Sequence, residues 1–252
     1  MNNSSRSALV TGAAGGIGLA TARLLASRGV RVLLADRSDT VIDAARSLRE
    51  QGADAGHFVV DLEQEQGVLA LAAHAKDAFG GCDILVNNAG INPKLEGGGY
   101  PLERIDLALW NKVMAVNVTA PFLLSRELLP GMRQQGWGRV INVASRAGRA
   151  YIPGVSVFYS AGKSALIGMT RQLAGDHAQH GITLNCVAPG PVQTPLALQS
   201  TAEVRAKVTA AIPARRSGTA EEVAAAIDFL ASDAAGYVCG ACIDVNGGGF
   251  MA

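Results

Sequence analysis

Charge, aromatic rings and cysteine are all scarce in this sequence. Charged residues make up 17% of the 252, and 22 lysines and arginines face 21 acids, for a net charge of +1. Sequence-blind attraction to nucleic acid needs a basic field. None is available, so no nucleic-acid partner is expected. Like charges form no block that would serve as an interaction tail. With aromatics at 5%, Trp110 and Trp137 are read as packing or subunit contacts rather than a binding platform. The four cysteines, Cys82, Cys186, Cys239 and Cys242, are too few and too scattered for a disulfide framework. They support the expectation of a reducing, cytoplasmic setting. No stretch approaches the roughly 20 apolar residues that span a bilayer. "MNNSSRSALVTG" lacks the basic-then-apolar order of a secretory signal. Neither a membrane partner nor a leader is expected. Low-complexity linkers and internal repeats are missing too, so residues 1–252 are read as one domain.

What the chain does have is 49% hydrophobic residues, enough for a sizeable core and too many for disorder. They fall into short runs of Val, Ile and Leu: "SALVTG" (7–12), "RVLLAD" (31–36), "HFVVD" (57–61), "CDILVNNAG" (82–90), "GRVINVAS" (138–145), "ITLNCVAPG" (182–190) and "ACIDVNGG" (241–248). Continuous rather than alternating runs are expected of strands covered on both faces. Helical patterns lie between them, over 18–28, 66–79, 106–133, 160–180 and 221–231. Strand–helix alternation of this kind predicts an α/β fold, a Rossmann-like, doubly wound parallel sheet of about seven strands with helices on both faces.

The first strand runs into "TGAAGGIG" (11–18), with Gly12, Gly16 and Gly18 spaced G-x-x-x-G-x-G. Glycines let a backbone turn tightly and approach a pyrophosphate. The helix that follows offers free N–H groups and a positive dipole end. A glycine-rich loop alone is a weak signal; its place between a strand and a helix strengthens it. The second strand ends at Asp36, whose carboxylate can accept from both adenosine ribose hydroxyls and would repel a 2′-phosphate. NAD is therefore expected over NADP. Arg37 next to it argues the other way, since arginine pairs with phosphate. Asp61, closing the third strand, is placed to meet the adenine edge. For both aspartates a simple helix-capping role stands as the alternative.

In "FYSAGKSAL" (158–166), Tyr159 and Lys163 lie one helical turn apart. Most such pairs carry no chemistry. Here they come with "TGAAGGIG", "NNAG" (87–90), Asn117 in "VMAVNVTAPF", Ser145 in "VINVASRAG", "YSAGK" (159–163) and "PGPVQTP" (189–195), in that order. Together these motifs resemble the short-chain dehydrogenase/reductase family in its single-domain form, from about residue 7 to residue 249. The resemblance implies an oxidoreductase that moves a hydride between NAD(H) and a secondary alcohol or ketone.

By that resemblance Tyr159 is the general acid/base, Lys163 holds the nicotinamide ribose and lowers the tyrosine pKa, Ser145 orients the substrate oxygen, and Asn117 interrupts its helix to hold a water for Lys163. It also implies cofactor contacts from Gly12, Gly16, Ile17, Gly18, Asp36, Arg37, Asp61, Leu62, Asn88, Ala89, Gly90, Tyr159, Lys163, Pro189, Gly190, Val192 and Thr194. A free phenol has a pKa of about 10. A unit charge at about 4 Å, with an effective dielectric near 20, contributes on the order of 4 kcal/mol. That is enough to pull the phenol well below its usual value.

Two departures from the family pattern are visible. The interval from Ser145 to Tyr159 is about one residue longer than expected, and Tyr151 within it has valine, not lysine, four residues on. Tyr151 is therefore assigned to the substrate wall. "NPKLEGGGYPL" (92–102) is longer than a minimal connection and is expected near the substrate. Segments 92–102, 146–158 and 191–215 should form that pocket, with Arg146 and Arg149 available to an anionic substrate. "CGAC" (239–242) has the spacing of half a zinc or redox site but no second pair nearby. His177 and His180 sit near a helix end, where histidine is favourable. No metal is assigned. The apolar faces of 106–133 and 160–180 resemble helices that pair subunits in the family, so a homotetramer or dimer is expected. The tail also resembles NADPH-dependent 3-oxoacyl thioester reductases, which stands as the alternative. A non-catalytic nucleotide sensor is the remote one, because the Ser/Tyr/Lys set is whole.

Overall fold

The computed structural model describes residues 6–194 and 197–251. The tail "MNNSS" and Pro195, the last residue of "PGPVQTP", lie outside the described residues, as does Leu196 of the expected pocket segment.

Seven parallel strands form one sheet: β1 (Ser7–Thr11), β2 (Arg31–Asp36), β3 (Ala55–Val59), β4 (Ile84–Asn87), β5 (Gly138–Val143), β6 (Ile182–Pro189) and β7 (Cys242–Val245), in the order β3-β2-β1-β4-β5-β6-β7. Because successive side chains in a strand point to opposite faces, neighbours in sequence enter different cores. Val10, Val32, Leu34, Val86, Ile141 and Val187 face one side, packed by Leu25 of α1 (Gly16–Ser27), Val41 and Leu48 of α2 (Thr40–Glu50) and, from further along the chain, Ile227. Leu9, Leu33, Leu85, Val140 and Leu184 face the other, against Val68 and Leu71 of α3 (Glu65–Phe79) and residues of a long rod. That rod is α4 (Leu107–Met114), a wide turn of π type (Ala115–Thr119) and α5 (Ala120–Gln135). Beyond it come α6 (Val157–His177), α7 (Ala202–Ala210) and α8 (Ala220–Ala231), which carries Ile227. Full burial of each leucine in these layers contributes about 2 kcal/mol. The doubly wound α/β expectation is met strand for strand.

The differences are local. Strand β3 runs over Ala55–Val59 instead of 57–61, because it is an edge strand whose extent is set by pairing with Val32–Asp36 alone. Helices α2 and α7 were not expected. The first is amphipathic, with Val41, Ala45 and Leu48 on its inner face, but it is short and its mean hydropathy is low; the second buries no residue and carries no apolar period. The rod Leu107–Gln135 is long and apolar enough, by length and composition alone, to cross a membrane. Its Leu123, Leu124, Leu128 and Met132 are packed into the second core. Trp137 is a packing residue: Arg6 and Arg139 lie 3.5 and 4.3 Å from its ring, and its N–H donates to Asp233 at 3.1 Å.

The chain leaves β1 towards β2 and β3, then crosses back so that β4 pairs with the free side of β1. The carboxyl ends of β1 and β4 flank the point where strand order reverses, the place where open α/β sheets bind ligands.

Candidate active site

The loop after β1 and the loop after β4 are stitched together. Asn88 donates through Nδ2 to Thr11 O at 2.8 Å and Gly12 O at 3.1 Å, and the N–H groups of Asn88 and Ala89 both donate to Thr11 Oγ1 at 3.1 Å. Gly12 has a left-handed φ of 67°, and a Cβ there would stand 2.8 Å from Asn88 Nδ2. A Cβ on Gly18 would stand 2.2 Å from Gly12 O. Both positions therefore need glycine, and the cradle they make is one that a side chain would fill. Helix α1 opens here with no capping side chain and no acid in its first turn, so its end N–H groups remain for an anion. Ile17, in that turn, packs against the first core.

Asp36 turns back onto this loop. Its Oδ2 accepts from Ala14 N and its Oδ1 from Ser38 N, both at 3.0 Å. It does not cap α2, so the capping alternative falls, and each oxygen keeps a lone pair for a ribose hydroxyl. Arg37 is exposed and has no hydrogen-bond or ionic partner among the described residues. Asp61 is exposed and its Oδ1 accepts from Glu63 N at 3.0 Å, a local turn ahead of α3, while Leu62 packs on the second core.

On the other side of the switch point, Ser145 follows β5 and starts a short turn (Arg146–Gly148), its Oγ accepting from Ala147 N at 3.1 Å. The Ser145 hydroxyl stands next to the Tyr159 phenol and favours its ionised form. Lys163 is almost fully buried and donates to Val143 O at 2.7 Å. Asn117 sits in the middle of the wide helical turn, as expected of a residue that interrupts its helix. Its Nδ2 donates to Ile91 O at 2.9 Å and its Oδ1 accepts from Ile91 N at 2.8 Å. Gly90 joins the two: a Cβ there would lie 3.2 Å from Lys163 Nζ and 3.4 Å from Asn117 Oδ1. Residues far apart in sequence thus meet at one point. Pro189 ends β6, Gly190 N donates to Val245 O at 2.9 Å, and Val192 bridges to Gly218, which ties the "PGPVQT" segment to the end of β7 and to Gly218. Thr194 Oγ1 donates to Val192 O at 3.5 Å.

The electrostatics differ from expectation. Burial, the largest cause, raises the Tyr159 pKa, and the Ser145 hydrogen bond opposes it in part. Burial also lowers Lys163 to about 8, against a smaller opposing effect of Cys186. Lys163 Nζ lies 5.8 Å from the Tyr159 ring centre and turns to Val143 O, so burial rather than the lysine sets the direction of the phenol's shift.

The expected substrate segments do meet. Segment 92–102 folds into a tight hairpin: Leu95 and Gly98 exchange backbone hydrogen bonds of 3.0 and 2.9 Å, with Glu96 and Gly97 at φ 50° and 79°. Positive φ at both central residues is the type I′ turn, which is why a glycine stands there. Tyr100 N donates to Ser156 Oγ at 2.8 Å, and a Cβ on Gly97 would stand 2.8 Å from Thr201. Two assignments are corrected. Tyr151 is 87% exposed and does not line a wall. Arg146 and Arg149 are held elsewhere, the first by Gly249 O at 3.1 Å, the second by Asp244 at 2.8 Å and Cys242 O at 2.9 Å. The cation overlooked was Lys94. It is half-buried, burial lowers its pKa, and it has no hydrogen-bond or ionic partner among the described residues. Its one signal was being the single cation in "NPKLEGGGYPL".

A family model described as enoyl-(acyl carrier protein) reductase matches residues 12–249, from the glycine loop to the last turn. The chain belongs to the short-chain dehydrogenase/reductase family. Within it, the chain is similar to cis-4-hydroxycyclohexanecarboxylate dehydrogenase of Sinomonas cyclohexanicum, 44% identical over 96% of both chains. Two solved members superimpose closely. One, from Beutenbergia cavernae, is described as an NAD(P)-dependent gluconate 5-dehydrogenase with NADP at low occupancy (39% identity, TM-score 0.90, 98% of both chains). The other is a 3-oxoacyl-[acyl-carrier protein] reductase from Brucella melitensis with NAD bound (35% identity, TM-score 0.91, 100% of this chain and 93% of that one). Short-chain dehydrogenase/reductase membership makes this chain an oxidoreductase on a nicotinamide-dinucleotide-binding fold, and the bound cofactors of these relatives span both NAD and NADP.

Proposed function

We propose that this oxidoreductase interconverts a secondary alcohol and a ketone with NAD(H), in one cofactor-and-substrate unit. The observation that carries the reading is the convergence of Ser145, Tyr159, Lys163 and Asn117 around Gly90, directly beyond the Gly12/Gly18 cradle. Bound nicotinamide would accept or supply the hydride and, when oxidised, add a positive charge beside the phenol. Gly12, Gly16, Ile17 and Gly18 would hold the pyrophosphate, with Asp36, Arg37, Asp61 and Leu62 around the adenosine. Asn88, Ala89 and Gly90, with Pro189, Gly190, Val192 and Thr194, would wall the nicotinamide. Ser145 and Tyr159 present adjacent hydroxyls to the substrate oxygen, and Tyr159 takes or returns its proton. Lys163 would hold the nicotinamide ribose and hand protons onward. The side chain of Asn117 is taken at both ends by Ile91, so the water assigned to it falls to the main chain of the wide turn.

NAD is preferred in this reading because Asp36 is pinned by Ala14 N at the loop and cannot turn away from a 2′-phosphate. Fluorescence titration checks this: the Kd for NADH should fall at least about tenfold below that for NADPH, a difference of about 1.4 kcal/mol. The reverse order would favour the alternative, an NADPH-dependent 3-oxoacyl thioester reductase.

The substrate is read as an alcohol carrying one carboxylate. Lys94 supports this, as the half-buried cation of the pocket segments without a partner, and a desolvated ammonium gains most from a single anion. The cyclohexane hydroxy acid of the Sinomonas relative is the first to test, against its methyl ester. Lys94→Met, which keeps the apolar stem, should raise KM for the acid by about 10–100-fold and leave the ester unchanged. An equal change for both, or none, would remove Lys94 from recognition.

We also infer a homo-oligomer, tetramer or dimer, in a reducing cytoplasm. Phe122, Arg126, Leu129 and Pro130 of α5 line a groove with Leu173 and His177 of α6, and Phe122 is 46% exposed. A monomer in sedimentation at working concentration would remove this.

A further inference from the structure

The chemistry above uses none of the four cysteines. "CGAC" draws attention to Cys239 and Cys242, but the sheet pairs Cys242 with a different residue. In the register of β6 against β7, Cys186 stands directly opposite Cys242. Opposed residues of neighbouring strands have Cα atoms about 4.8 Å apart, inside the window of about 4.4–6.8 Å for a disulfide. Both side chains leave the sheet on the same face, which brings the two thiols side by side. The Cys239 sulfur is engaged elsewhere, 3.8 Å from Ala174 O and 4.0 Å from Ile182 O.

The two members of the pair have unlike surroundings. Cys186 is fully buried, with its sulfur 3.1 Å from Thr170 Oγ1. The hydrogen bond with Cys242 and then burial push its pKa far up, so it stays a thiol. Cys242 is half-buried, and the Arg149 guanidinium lies over it, donating to Cys242 O at 2.9 Å. The hydrogen bond from Cys186, and next in the same direction the Arg149 charge, pull the Cys242 thiol below its usual value against burial. Asp244 and the Asp244-bound Arg149 are the other charged groups facing this thiol. A thiolate beside a protonated resolving thiol is the arrangement that peroxide-sensing cysteines need.

We propose that Cys242 is a peroxide-reactive modification site and Cys186 its resolving thiol. The Cys242 thiolate attacks one peroxide oxygen and the O–O bond breaks. Cys242 becomes a sulfenic acid, and the departing hydroxide takes up a proton to leave as water. The Cys186 sulfur then displaces the sulfenic hydroxyl, which takes the Cys186 proton and leaves as a second water. Two thiols are oxidised by two electrons to one disulfide while hydrogen peroxide is reduced to two waters. The bond would lie close to the reaction site. Cys186 interacts electrostatically with Lys163, and Thr170 links it to Asn142 and on to Asn87 by hydrogen bonds of 2.8 Å each. Oxidation should therefore slow turnover, reversibly on adding a thiol reductant.

The test uses the full chain with dilute hydrogen peroxide, followed by peptide mass mapping without reduction. The expected result is a Cys186–Cys242 linked peptide that forms at least about ten times faster than any oxidation of Cys82 or Cys239. Its rate should rise with pH in a range below that of an ordinary cysteine thiol. Cys242→Ser should abolish the link. In Cys186→Ala, dimedone should instead trap a sulfenic acid at Cys242. Wild-type protein in which Cys242 stays reduced while Cys239 oxidises, or a link between Cys239 and Cys242, would overturn the proposal without any variant. Hydride-transfer activity is not needed for this readout, so its failure is separate from failure of the proposed function.

Discussion

Replacing Tyr159 with phenylalanine should cut kcat for alcohol oxidation by about three orders of magnitude or more, with the NADH Kd changed by less than about threefold. The substitution removes a single oxygen atom. The ring stays beside Lys163, 5.8 Å from its ammonium to the ring centre, and only the hydrogen bond to Ser145 is lost. That bond is worth about 1 kcal/mol to stability, so the melting temperature should move by only a few degrees. A large kinetic loss with little change in binding or stability is what removal of a proton-transfer group looks like. Tyr151 cannot substitute for it, being 87% exposed in the loop ahead of α6. Steady-state rates with an NADH titration and a thermal melt check the prediction. Unchanged turnover would mean that the proton goes elsewhere.

Gly18→Ala should act in the opposite way, through binding and stability before chemistry. The added methyl would lie 2.2 Å from Gly12 O and 2.6 Å from Asn88 Nδ2. Neither neighbour can give easily, because Asn88 is fixed by Thr11 O and Gly12 O. Relief requires α1 to move away from the glycine loop, taking its first-turn N–H groups out of register with a phosphate. Overpacking costs about 1–3 kcal/mol of stability, and the NADH Kd should rise about 100-fold, or about 2.7 kcal/mol. Gly175→Ala is the control. It lies within α6 with nothing inside 4 Å of an added Cβ, so it should stabilise by about 0.5–1 kcal/mol and leave NADH affinity alone. Calorimetry of the two variants with and without NADH separates the cases.

The sheet was legible because both its faces are covered, which leaves each strand as an unbroken apolar run. The edge strand β3 was placed two residues late, since an edge is defined by one partner instead of two. Helix α7 was invisible because it buries nothing. Residue types and spacing pointed to Asn117, Ser145, Tyr159 and Lys163, and the chain does bring them together. Where a side chain turns was not legible. Lys163 reaches Val143 O, and Arg149 reaches Asp244 across 95 positions of sequence. The spacing of "CGAC" was read as small-residue packing, whereas strand register sets Cys242 opposite Cys186, a juxtaposition that no local pattern contains.

Asn117 carries a consequence for how such a site can diversify. Its amide grips both the N–H and the C=O of Ile91, and its own place is set by the wide turn between α4 and α5. Ile91 is thereby a fixed root. In the proposed reading, Asn88 to Gly90 before it wall the cofactor, and the hairpin from Asn92 to Leu102 after it borders the substrate. On that reading, insertions, turns and charges can accumulate beyond the root without disturbing the proposed hydride site behind it. The long hairpin with its lone lysine is what such freedom looks like in one chain: a new selectivity grown outward from an anchored base.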